Sequence, residues 1–192
     1  MNADGFLGGA TAWLYAGAVP PVCPTCGFSW STPAGDAVAH ISASPDRYAA
    51  LLAGRDGMAQ ASDGGWNATS FVWHLADLAR GWSERWVVLA GSPGALLAGW
   101  DPDELADARN YRAMPTVSAL WALRQCTEVF VELTGSLDPT TPFLHADWGT
   151  GTVAEALIWL GHEFVHHEGD VIERAGPTAA REIERLSPGL SS

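Results

Sequence analysis

The chain contains no lysine: all ten of its basic residues are arginine, set against 22 Asp and Glu, for a net charge of −12 over 192 residues. A surface so acidic repels phosphate and has no basic stretch with which to displace counterions, which argues against nucleic acid as a partner. Long apolar runs are lacking too. No window approaches the ~18 residues that a membrane-spanning helix requires, so no membrane is expected as a partner. No basic residue precedes Arg47, so the apolar stretch 5–19 lacks the charged flank of a secretory signal, and a cytoplasmic location is expected. Cysteine is scarce. Cys23, Cys26 and Cys126 are too few and too unevenly spaced for a disulfide scaffold, which agrees with a reducing compartment. The absence of lysine beside abundant Ala and Gly reads as GC-rich coding, as in an actinobacterium.

What is present suits one domain. The apolar content of 47% is enough for a single core. Residues 1–35, rich in Gly, Pro, Ser and Thr around Cys23-Pro-Thr-Cys26-Gly-Phe, predict an irregular arm with a knuckle. Residues 36–176 carry helical patterns. Ser44-Pro45-Asp46 reads as an N-cap followed by proline at the first helical position, with a weaker helix before it from about Asp36 to Ile41. Asn67 caps a second helix to about Ala90, with Phe71, Leu75, Leu78, Trp82, Trp86 and Leu89 at helical spacing. A short helix follows at Asp103–Asn110. A third long helix runs from Pro115 to about Thr134, with Leu120, Leu123, Val129 and Leu133 facing inward. The capping box Thr152-Val-Ala-Glu155 opens a fourth, which ends before Gly176-Pro177. Residues 177–192 form a tail with a short amphipathic helix at about Thr178–Leu186. With no convincing alternating strand, the expected class is all-α, an antiparallel four-helix bundle. Trp73, Trp82, Trp86, Trp121 and Trp159 read as packing residues.

The chemistry concentrates in Gly161-His162-Glu163-Phe164-Val165-His166-His167-Glu168-Gly169-Asp170, which offers two overlapping i, i+4 pairs on one helix. With Glu163 at zero, steps of about 100° put His167 at about 40°, beside Leu160, Val171 and Phe164 on the apolar face. His162 and His166 fall on the opposite, polar arc and read as solvated. A buried carboxylate beside a buried imidazole is costly unless each finds a partner, and a divalent cation satisfies both. His74, in the stripe of Phe71 and Leu78, is the third candidate ligand. Two imidazoles and one carboxylate leave coordination positions open, as in catalytic sites. Taken singly, His74 also fits a hydrogen-bonded core histidine, and the 162–167 cluster a surface histidine patch.

Trp66-Asn-Ala-Thr-Ser-Phe-Val-Trp-His74-Leu-Ala-Asp77 resembles the second-helix motif of the DinB superfamily, and Glu163-x3-His167-x2-Asp170 resembles the fourth-helix motif of its mycothiol-dependent maleylpyruvate isomerase branch. The opening Cys-Pro-Thr-Cys-Gly-Phe is similar to that of actinobacterial DinB-like proteins. This resemblance, over roughly residues 20–175, implies a DinB-like bundle in which His74, Glu163 and His167 bind a divalent metal, zinc first, with nickel, iron or manganese as alternatives. It also implies mycothiol as a thiol cosubstrate. The expected function is a metal-dependent thiol S-transferase or isomerase acting on a small electrophilic metabolite. A divalent ion deprotonates a coordinated thiol and sets it beside the electrophile. Asp170 and Asp77 are candidates to orient the ligands. Trp100, Asp101, Tyr111 and Arg112 (with Asn110 between them) are candidates for substrate binding at the mouth of the site, or for covering the end of the bundle.

Other readings stand beside it. His162-Glu163-x-x-His166 matches the H-E-x-x-H pattern of zinc peptidases, but no strand or cleft is evident for it. The same metal site could serve a biosynthetic cyclase or transferase, or a non-enzymatic stress or binding protein. The facial triad of non-haem iron oxygenases belongs on a β-barrel that this sequence does not suggest. Cys23 and Cys26 supply half of a structural zinc knuckle, for which His40 is a conceivable third ligand, while Cys126 reads as a buried apolar residue. The substrate, the metal and homodimer formation remain open from sequence.

Overall fold

A computed structural model of the chain describes residues 20–176. The apolar stretch 5–19 and the tail with its expected helix at 178–186 lie outside the described residues.

The first helix, α1, spans Ala34–Leu52 without a break. Pro45 brings no N–H, so the Ile41 carbonyl four residues back loses its helical donor. The Ser44 hydroxyl donates to that carbonyl at 2.7 Å instead, and Ser44 is therefore an interior residue where the sequence suggested a cap. Helix α2, Ala68–Gly91, begins at Asn67, whose side chain accepts from the Ser70 backbone N–H at 2.8 Å. Helix α3, Pro102–Arg109, is capped by Asp101 and ends at Asn110 in the left-handed region (φ 54°), leading into a 3-10 turn at Tyr111–Ala113. Helix α4 covers Thr116–Thr134. Helix α5, Val153–Arg174, opens with the Thr152/Glu155 capping box.

The long helices close a ring in which α1 touches α4 and α5, and α2 touches α4 and α5. Consecutive α1 and α2 thus lie across the diagonal. The core between them holds Ile41, Tyr48, Val72, Leu75, Trp82, Leu123, Phe130, Leu160 and Phe164. Tyr48 ties α1 to α5 by donating to the Phe164 carbonyl at 2.8 Å. Gly161 lets the same two helices meet: a Cβ there would sit 2.7 Å from Ala37 Cβ. On α4 the buried residues include Ala119, Leu123, Thr127 and Phe130. Val129 and Trp121, expected inside, are exposed, because the inward face of α4 is one step away on the wheel from the Val129 register.

The class is mostly helical but not all-α. Strand β1 (Leu96–Leu97) pairs parallel with β2 (Pro142–His145), which pairs antiparallel with β3 (Gly149–Thr152). Its strands are of two to four residues, too short for an alternating pattern to register. They place Phe143 and His145 against Trp82. Residues 20–33 are likewise not a loose arm. Phe28 is buried, and its ring packs 5.7 Å from that of His162 on α5. No helix among the described residues is long and apolar enough to cross a membrane.

Candidate metal centre

Helices α2 and α5 bring His74, Glu163 and His167 together, each offering a ligand atom within 4.8 Å of the others. All three are buried. His167 Nε2 lies 3.4 Å from Glu163 Oε2, which is long for a charged hydrogen bond. With metal–ligand bonds of about 2.0–2.1 Å, however, the edge of a tetrahedron is roughly 3.4 Å. Asp170 Oδ2 sits 2.6 Å from His167 Nδ1, so the far nitrogen of that ring is held by a carboxylate.

The charges of the cluster are strongly coupled. Burial opposes the charged form of Glu163, yet the imidazoles of His162 and His167 outweigh it and hold its carboxyl below the usual range. Burial would also lower the basicity of His167, but Asp170 and Glu163 push its pKa up to about 9. Burial, with the charge of His167 beside it, lowers His74 to about 3. A proton on His167 therefore stands where a metal ion would, and a divalent ion suits the same donor set of two imidazoles and one carboxylate.

Beside this cluster lies a narrow recess of about 20 Å³, room for about one water, lined by His74 and Glu163, by Trp82, Trp100, Trp148 and Trp159, and by Arg85, His145 and Asp147. The Arg85 guanidinium lies between two indoles, 4.6 Å from the Trp82 ring centre and 4.2 Å from that of Trp100. It donates to the Ala98 carbonyl and approaches His145 Nε2 at 3.4 Å. Among the described residues no carboxylate reaches ion-pair distance of it. Burial lowers its pKa to about 10, which leaves it a cation at neutral pH. His145 is driven down to about 4, first by burial and then by Arg85.

The remaining sequence candidates scatter. Trp100 lines the recess. Asp101 spends its carboxylate on the backbone N–H groups of Asp103 and Glu104. Tyr111 is buried and donates its hydroxyl to Asp77, and Arg112 is exposed. Asp77 is held by other partners. It faces Arg80 at 2.9 Å together with Arg109 and Tyr111, pinning α3 and the 3-10 turn to α2. His40 is exposed, and Cys126 is half-buried. Cys23 and Cys26 gather with His162 and His166. His162 is buried where the helical wheel put it in solvent, because residues 20–33 cover that arc. Sequence reasoning missed Arg85, His145 and Trp148. Arg85 had a signal: eleven residues after His74 it returns to within about 20° of it on the wheel. His145 and Trp148 sit in or next to the short sheet and had none.

No family model matches the chain, and no curated protein is matched by it. Among solved structures, YfiT from Bacillus subtilis superposes with a TM-score of 0.63, covering 73% of this chain and 86% of its own, at 17% identity. The two chains share a fold. YfiT is described as a probable metal-dependent hydrolase with an unusual four-helix bundle topology, and the diagonal placement of α1 and α2 is a departure from simple sequential packing in this chain. At this identity the likeness establishes architecture and leaves the activity to be argued from the residues.

Proposed function

We propose that this is a DinB-like, metal-dependent enzyme that binds a divalent ion through His74, Glu163 and His167 and acts on a small electrophile bearing an anionic group, by thiol S-transfer or isomerisation. The observation that carries this reading is the buried three-ligand cluster beside a recess whose wall holds the cation Arg85, which Asp147 faces only beyond ion-pair distance. A divalent ion held there supplies Lewis acidity, lowering the pKa of a thiol or a water placed at its open position. The protein residues do the rest. Asp170 keeps the His167 ring turned to the centre. The four indoles exclude water and strengthen every charge interaction inside the recess. Arg85 is available for bidentate contact with a carboxylate or similar anion.

Support for the thiol, mycothiol foremost, comes from the resemblance of Glu163-x3-His167-x2-Asp170 to the thiol-dependent branch. A hydrolytic reaction on the same site is the second reading, favoured by the fold shared with YfiT, a probable metal-dependent hydrolase. The peptidase reading is disfavoured, since His162 and His166 group with cysteines while Glu163 groups with His74 and His167. The test is metal content of the protein beside His74→Ala and His167→Ala, then calorimetric titration of mycothiol and turnover of ester and amide panels. Metal lost from the cluster in both variants, with thiol binding to the wild type, supports S-transfer. Turnover of an ester or amide without thiol selects hydrolysis, and metal unaffected by both substitutions overturns the site. For whichever substrate is turned over, Arg85→Met should raise KM about 10–100-fold, the loss of one or two charge-assisted hydrogen bonds.

A further inference from the structure

The second face of α5 holds a donor set that the reaction does not use. Cys23, Cys26, His162 and His166 each present a ligand atom, and these four atoms lie within 4.8 Å of one another. Cys23 Sγ is 3.7 Å from His166 Nδ1. For bonds of about 2.3 Å to sulfur and 2.0–2.1 Å to nitrogen, the tetrahedral edge between them is roughly 3.6 Å.

The knuckle itself is shaped for a bound ion. Gly27 takes φ +76°, a conformation that a side chain would strain. Its N–H donates to the Cys23 carbonyl at 2.9 Å, and the Cys23 N–H to the Phe28 carbonyl at 2.8 Å. On the helix side, both ring nitrogens of His162 are buried without a hydrogen bond, Glu163 Oε1 lying 3.4 Å from Nδ1 out of hydrogen-bond geometry. A Cys23–Cys26 disulfide would leave both imidazoles unused, whereas one tetrahedral ion engages all four groups.

We infer that Cys23, Cys26, His162 and His166 form a closed, structural zinc site that clamps the N-terminal segment onto α5. Four protein ligands leave no open position, so this ion binds no substrate. It is independent of the catalytic reading and acts on the fold: the segment crosses α5 beside Phe28 and Trp30, whose rings pack on His162. Because Glu163 Oε1 faces His162 while Oε2 faces His167, the clamp also buttresses a ligand of the other cluster.

The test loads the full chain with cobalt(II) under reducing conditions. A tetrahedral site with two thiolates gives sulfur-to-cobalt charge transfer in the near ultraviolet and intense visible bands. These bands should appear in the wild type, persist in a His74→Ala/His167→Ala variant and vanish in Cys23→Ser/Cys26→Ser. Their absence from the wild type, or their survival in the serine variant, overturns the proposal. Should the serine variant not fold, alkylation of the wild type decides. Cys23 and Cys26 should be protected in the zinc-loaded protein and become reactive on chelation, whereas reactivity unchanged by chelation overturns the site.

Discussion

Asp170 can be altered without touching a ligand atom, which makes it the sharpest probe of the His74/Glu163/His167 cluster. Its Oδ2 holds His167 Nδ1 at 2.6 Å, and a third of its side chain is exposed. A hydrogen bond to a charged group contributes about 1.5–3 kcal/mol and a neutral one about 0.5–1.5 kcal/mol, and partial exposure favours the lower ends. Asp170→Asn keeps an acceptor but removes the charge, so it should weaken metal binding by about 1 kcal/mol, or roughly fivefold. Asp170→Ala removes both and should cost about 1.5–2 kcal/mol, or roughly 10- to 30-fold. Competition against a chromophoric chelator measures the affinities. The thiolate–cobalt bands of the Cys23/Cys26 knuckle act as an internal reference that neither substitution should move. Equal affinity in wild type, Asn and Ala proteins would refute the claim that Asp170 sets the His167 ring.

Three further outcomes follow from particular contacts. Gly161→Ala forces a methyl to within 2.7 Å of Ala37 Cβ, an overpacking worth about 1–3 kcal/mol, so thermal melting should fall by several degrees, and an unchanged Tm would mean that α1 and α5 do not meet there. Asp77→Ala strips the buried carboxylate from Arg80, Arg109 and Tyr111. Because the two arginines keep part of their hydration, the loss should be about 2–3 kcal/mol in a urea titration, less than the full cost of breaking a buried pair. His145 is buried with its pKa lowered to about 4, against 6.5 in its ordinary state, facing Arg85 and, at 3.9 Å, Asp147. Between those two values the unfolded chain binds the extra proton. This group's contribution is therefore complete above pH 6.5 and is lost as the pH falls toward 4, by up to about 3 kcal/mol. His145→Asn should flatten stability against pH in that window, and an unchanged slope would place the imidazole in water.

The long helices were legible because their signals are local. Asn67 and the Thr152/Glu155 box each cap the long helix that follows them. The proline in α1 misled for a local reason as well, since only the structure shows the Ser44 hydroxyl replacing the lost donor. The pairing of Glu163 with His167 came from helical phase, and their meeting with His74 depends on a crossing of α2 and α5 that phase does not specify. For Asp101 and Tyr111 two roles stayed open because a polar or aromatic residue near a site looks the same in sequence whether it binds substrate or caps and packs the scaffold, and the contacts they make are of the second kind. Two-residue and four-residue strands carry too little pattern to be read, so His145 and the recess wall beside it were invisible.

The deepest misreading was of His162 and His166, and its cause is instructive about α5. Residues 162 and 163, like 166 and 167, differ by about 100° around a helix, so the run His-Glu-Phe-Val-His-His cannot serve one site. It serves two sides. Glu163 and His167 turn to α2, while His162 and His166 turn to the knuckle. A wheel drawn for the bundle alone sends the second pair to solvent, because the element that buries it lies more than a hundred residues earlier in the chain. The arc is polar because it faces the two sulfurs of the knuckle, a partner that hydrophobic periodicity cannot register. The H-E-x-x-H match is thus a splice of two half-sites, and the cue that separated them was already in the sequence as an unmatched CxxC waiting for two more ligands.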